Sequence, residues 1–207
     1  MNAMSEVSRG VGVPTLLSML ARIGFRKRSA KVLTLDLGRG WLGWLGLNTA
    51  SRAGGRGVIL LNPIVGVRCQ AIEAQVAEGR GEQAHPFLPP TTSEPLRYLV
   101  PATEREGWVL GNQGDESLAA SLAKLVEDYG LPFAQTMTDL DTLTERLRGL
   151  AQRDDQAAYR WLAALRLAGD VKATDSAAQH VRRRLVSRQD RAANELRAFA
   201  EWAESKG

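Results

Sequence analysis

Residues 30–67, AKVLTLDLGRGWLGWLGLNTASRAGGRGVILLNPIVGV, decide the fold. From Ala30 to Leu37 the residues alternate. Leu33, Leu35 and Leu37 share one face and Val32, Thr34 and Asp36 the other, which is the pattern of a half-buried strand. Trp41 to Thr49 is apolar on both faces and predicts a second strand. Arg52-Ala-Gly-Gly-Arg-Gly57 supplies turn chemistry, and Val58 to Val67 is the third and most apolar strand. Pro63 has no N–H to give to a ladder, which predicts a bulge or a sheet edge at that point.

Working outward, Pro14 to Phe25 predicts a first helix, with Leu16, Leu17, Leu20 and Ile23 on one face and Gly24 at its end. Arg68 to Glu78 fits a short helix closing at Gly79. Residues 79–95 are rich in Gly, Pro, Thr and Ser and read as a long surface loop. Leu96 to Val100 and Trp108 to Leu110 read as two short strands. Leu118, Leu122, Leu125, Val126 and Tyr129 have helical spacing, and Gly130 and Pro132 predict the stop. Thr138-Asp-Leu-Asp141 resembles a capping box ahead of Leu140, Leu143 and Leu147.

From residue 149 onward the pattern is helical. Ala158, Trp161, Leu162, Leu165 and Ala168 form a stripe ending at Gly169. After Thr174 neither Gly nor Pro occurs before the last residue. Ala178, Val181, Leu185, Ala192, Leu196, Phe199 and Ala203 stay on one side of a helical projection. This predicts one amphipathic helix of about 30 residues, folded back on the 150–168 helix as an antiparallel hairpin with Trp161 and Trp202 on its two sides. The expectation is an α+β protein: a mostly antiparallel sheet of about five strands packed by helices, with a C-terminal helical hairpin. Residues 13–148 would form the α+β domain and 149–207 the hairpin sub-domain.

Composition sets the bounds on function. The chain has 207 residues, 44% hydrophobic and 24% charged, which excludes wholesale disorder. Its single cysteine, Cys69, can form neither an internal disulfide nor a thiolate metal site, so a reducing compartment is the default. The apolar stretches Trp41 to Leu47 and Val58 to Val67 are too short to span a bilayer. The N-terminus lacks a basic region before its apolar part and carries Pro14, so no signal peptide is expected. A cytoplasmic protein without membrane contact is the expectation. The net charge is +4, with a slightly acidic middle and two basic ends, which suits a solvated surface better than a nucleic-acid footprint.

Catalytic signals are sparse. Gly38-Arg-Gly-Trp-Leu-Gly43 spells GxGxxG after a strand, but no Asp or Glu occurs between Asp36 and Glu73 to hold a ribose, so a glycine-rich hairpin is the better reading. Two histidines and one cysteine make no HExxH, CxxC or metal cluster, and neither metal nor cofactor is expected. The paired carboxylates (Glu104 and Glu106, Asp115 and Glu116, Glu127 and Asp128, Asp139 and Asp141) fall in a turn and at helix ends, where capping and solvation explain most of them. Cys69 as a nucleophile paired with His85 or His180 would make a cryptic enzyme. A buried cysteine acting as a small hydrophobe is the plainer reading.

Binding signals are stronger. Arg26, Lys27, Arg28 and Lys31 form a compact basic turn, Trp41 and Trp44 flank a glycine-rich strand, and His85 and Phe87 lie in the Pro-rich loop. His180, Arg184, Arg188 and Arg191 fall on one side of the C-terminal helix, where the three arginines could neutralise phosphates.

The first helix, Gly24-Phe25-Arg-Lys-Arg28, the strands, and then Tyr129-Gly-Leu-Pro-Phe133 followed by Leu140 and Leu143 resemble bacterial proteins of the domain of unknown function 4304 type over residues 14–148. That resemblance implies a helix leading into an antiparallel sheet and no established activity. Similar small α+β proteins serve as immunity or accessory proteins beside bacterial toxins, an analogy of fold only. The expected function is therefore a non-catalytic protein-binding module, an immunity or accessory protein that occludes another protein through Trp41, Trp44, Arg26, Lys27, Arg28, His85 and Phe87. A nucleic-acid binder using Arg184, Arg188 and Arg191 and a Cys69-dependent enzyme stand as alternatives. The C-terminal helices also offer a face for a homodimer.

Overall fold

The computed structural model describes residues 12–51, 59–105, 108–110 and 116–205. The predicted turn Arg52–Gly57 lies outside them, as do residues 1–11, Glu106 and Asp115. Among the described residues the fold is α+β with a six-stranded antiparallel sheet. Its strands are β1 Arg26–Lys27, β2 Val32–Gly38, β3 Trp41–Ser51, β4 Ile59–Cys69, β5 Thr92–Pro95 and β6 Trp108–Leu110. The order is β1-β2-β3-β4-β5, and β6 also pairs with β4, in the register Leu61 with Trp108.

The GxGxxG segment is a hairpin. Gly38, Arg39 and Gly40 all have positive φ (83°, 50° and 79°), so the chain reverses between β2 and β3, and no helix follows. Pro63 lies inside β4, which has neighbours on both sides. The outer ladder is divided there. β6 pairs with Ile59 to Leu61, and farther along Thr91 N–H donates to the Val67 carbonyl. One short strand on either side of a proline leaves its missing donor without a required partner.

The helices are α1 Gly12–Arg22, α2 Gln70–Gly79, α3 Leu96–Leu99, α4 Glu116–Leu125, α5 Leu131–Thr136, α6 Leu140–Ala151, α7 Asp155–Leu167, α8 Val171–Arg184 and α9 Arg191–Ser205. Three sequence expectations need correction. Leu96 to Val100 is helix α3, not a strand. Leu96 and Val100 are both buried, an i, i+4 pair that fits a helix turn as well as it fits alternation. The fifth strand is instead β5, inside the stretch read as loop.

The helix over Leu118 to Tyr129 does not stop at Gly130. It passes through a π-helical turn, Val126–Gly130, into α5. Pro132 is the second residue of α5, directly after the π-turn, so its missing N–H falls where the hydrogen-bond ladder of the continuous helix is already changing register. Gly130 lies against β4, where a Cβ would come 3.1 Å from a Val65 methyl.

The third correction is the C-terminal helix, which is two helices broken at residues 185–190, so α7, α8 and α9 replace the hairpin. Both new ends are capped without glycine or proline. Asp190 accepts from Ala193 N–H at 3.0 Å and starts α9, while the Arg197 guanidinium donates to the carbonyls of Leu185 and Arg188. The break shifts the buried face: Ala193 is buried and Ala192 is exposed. Asp139 caps α6, accepting from Thr142 N–H at 2.8 Å, one residue later than the predicted box begins.

The chain divides into two compact units. One holds residues 1–36, 43–66 and 93–135; the other holds 37–42, 67–92 and 136–207. The first is cored by Leu16 and Leu20 of α1, Leu33, Leu45 and Leu61 of the sheet, and Leu122 and Val126. The second is built around α7, which packs against α2, α6, α8 and α9 and is buried on nearly every side.

Candidate functional site

α7 carries the segment AAYRWLAAL, so its Arg160 enters an apolar interior. Arg68, at the end of β4, and Glu73, in the first turn of α2, are buried in the same unit. A buried charge must be paired and hydrogen-bonded, and these three residues satisfy one another. Glu73 Oε1 accepts from Arg160 Nε at 2.8 Å and from the Thr91 hydroxyl at 2.8 Å, and Glu73 Oε2 accepts from Arg160 Nη2 at 3.4 Å. Arg68 Nη1 lies 3.6 Å from Glu73 Oε2. Thr91 Oγ1 also accepts from Cys69 N–H, at 2.9 Å.

Arg68 sends the rest of its fork into the loop at residues 80–90. Nη1 donates to the Pro89 carbonyl at 2.5 Å, Nη2 to the His85 carbonyl, and Nε to Gln70 Oε1 at 2.9 Å. Gln70 Nε2 donates to the Pro86 carbonyl at 2.8 Å, and its backbone N–H donates to the Gly40 carbonyl at the tip of the β2–β3 hairpin. His85 Nδ1 accepts from the N–H groups of Phe87 and Leu88, at 3.1 and 3.0 Å, which places the proton of the neutral ring on Nε2. The loop is thus held by the buried guanidinium of Arg68 and by the imidazole of its own His85. Leu88 is left exposed and Phe87 half-exposed.

Other sequence candidates fall elsewhere. Trp44 is buried and cannot serve as an exposed interface anchor, whereas Trp41 is half-exposed. Arg26 and Lys27 are the exposed residues of β1, an edge strand where short length and basic side chains discourage pairing with another sheet. Arg28 Nε donates to Thr34 Oγ1 at 2.8 Å.

The basic face proposed for one helix is not on one helix. Arg184 ends α8, Arg188 lies in the connection and Arg191 starts α9. Each meets a carboxylate: Arg184 bonds Asp155 at 2.5 Å, Arg188 bonds Asp155 and Asp190 at 2.9 Å each, and Arg191 bonds Glu195 at 2.6 Å. Arg188 holds Asp190 down at about 2, with help from Ala193 N–H. His180 bonds Gln152 Oε1 at 2.9 Å.

Cys69 is buried, and that burial pushes its thiol up, the direction that keeps it protonated and unreactive. No group of three metal-ligating side chains occurs among the described residues. Burial also pushes the Arg68 guanidinium down, opposed by Glu73 and reinforced by Arg160. Every oxygen of Glu73 is engaged by a donor, so the network is built to hold rather than to transfer a proton.

Sequence reasoning missed Arg68, Glu73, Thr91 and Arg160. The signal was available: Arg68 follows Ile64-Val-Gly-Val67 and Arg160 sits within an Ala/Trp/Leu run, each a charge at a core-facing position. Among the described residues no helix is long and apolar enough to cross a membrane. No protein-family model matches the chain, and no curated protein or solved structure is significantly similar to it.

Proposed function

We propose that the protein is a non-catalytic protein-binding module, of the immunity or accessory kind, that occludes its partner with the loop at residues 80–90. One observation carries this reading: a buried guanidinium spends its hydrogen bonds on the loop's carbonyls while the loop leaves Leu88 exposed and Phe87 half-exposed. A loop already fixed in one conformation loses little entropy on binding, and preorganisation of that kind raises affinity without new contacts. Gln70 ties the hairpin tip at Gly40 to the same loop, so Arg39 and Trp41 extend the surface.

A photo-crosslinking residue placed at Phe87 tests the reading in cells that express the protein naturally, with Glu145 as a control position. The expected result is one protein joined at position 87 and not at 145, lost in Leu88→Ala, and indifferent to nuclease and salt. Equal joining at both positions, or capture that nuclease abolishes, overturns the proposal; the latter would favour nucleic acid instead.

A further inference from the structure

Beneath the loop lies a cavity of about 180 Å³, smaller than the ~300 Å³ at which pockets for organic ligands begin. Its charged walls are Arg68, Arg80 and Arg160 against Glu73 and Glu82. Arg80 bonds Glu82 at 2.8 Å on the rim, and its guanidinium lies 5.1 Å from the Tyr159 ring centroid. Deeper in, two buried guanidiniums share one buried carboxylate. Every guanidinium nitrogen of Arg68 and Arg160 already donates a hydrogen bond, and Arg68 Nη1 also lies 3.6 Å from Glu73, so what remains unbalanced is charge: two buried cations face one buried anion. An uncompensated buried charge is strongly unfavourable unless a counter-charge meets it. Guanidinium forks match the planar or tetrahedral oxygens of carboxylate and phosphate.

We propose that this cavity binds a small oxyanion between Arg160 and Arg80, with Arg68 behind them. The ligand class is a carboxylate or phosphate group, and the inference stands whether or not the loop docks a protein. The anion supplies the charge that Glu73 alone does not.

Calorimetric titration of the full chain with sodium phosphate, and separately with sodium acetate, against a chloride background of equal ionic strength tests this. A saturable one-to-one heat is expected. Phosphate alone giving it identifies a phosphate-type ligand; acetate giving it as well identifies the carboxylate of an acidic side chain or chain terminus. Arg80→Gln, which leaves Arg68, Glu73 and Arg160 in place, should weaken binding about tenfold or more by removing one charge-assisted contact. Glu82→Gln releases Arg80 from its competitor and should tighten binding, a change of opposite sign that lost folding cannot mimic. No saturable heat from either anion, or equal affinity in both variants and the parent, overturns the site.

Discussion

Glu73 is the residue on which the buried charges turn. It accepts from Arg160 and Thr91 and lies beside Arg68, so Glu73→Ala leaves two guanidiniums buried with no carboxylate between them. Breaking a buried pair from one side costs about 3–5 kcal/mol, and urea unfolding should show a loss of that size with the slope unchanged. Cys69 gives a second test. Its folded thiol titrates above the ordinary value of about 9 because of burial. The unfolded chain therefore gives up this proton first as pH rises, and the stability tied to it is complete below pH 9 and declines above it. Burial raises Tyr159 in the same way from an ordinary phenol value of about 10. Unfolding midpoints between pH 8 and 10.5 should fall in the parent, and Cys69→Ala should remove the part of the decline that begins near pH 9. At this scale the sequence showed which residues were chemically scarce but not which were paired. Partners separated by 87 positions, as Glu73 and Arg160 are, leave no local spacing to read.

Elements are more legible, because hydrophobic period and caps act over a few residues. Strands β2, β3 and β4, the hairpin at Gly38 to Gly40 and helices α1, α2 and α7 lie where alternation and helical stripes put them. The long C-terminal helix failed for an equally local reason. Apolar positions kept phase across residues 185–190, while Asp190 and Arg197 supplied caps that compete with continuation. Asp190→Ala should remove the start of α9 together with a partner of Arg188. The expected readout is a lower melting temperature and faster amide exchange over residues 191–194, with α8 unaffected. Gly79 shows packing overriding propensity. Alanine is favoured by up to ~1 kcal/mol inside a helix, but a Cβ here would lie 2.5 Å from the Phe199 ring and 2.6 Å from that of Trp202. Phe199 is buried, with the Tyr159 and Trp202 rings 4.9 and 5.0 Å away between centroids. Overpacking costs roughly 1–3 kcal/mol, so Gly79→Ala should destabilise on balance, as denaturant titration will report.

Over the whole molecule, the sheet-and-helix class follows from the order of periodic segments, whereas the grouping of those segments does not. The second compact unit takes in residues 37–42, 67–92 and 136–207, and the side chains that hold its loop come from β4, α2 and the loop itself. The loop's Pro-rich composition marked it as irregular, and only the guanidinium beneath it marks it as fixed. Rigidity at residues 82–90 is thus the central claim, and backbone ¹⁵N relaxation measures it directly. The parent should give order parameters near the ~0.85 of ordered backbone, falling below ~0.6 in Arg68→Met while α7 keeps its values. Values below ~0.6 across the loop of the parent protein would contradict a preformed binding surface.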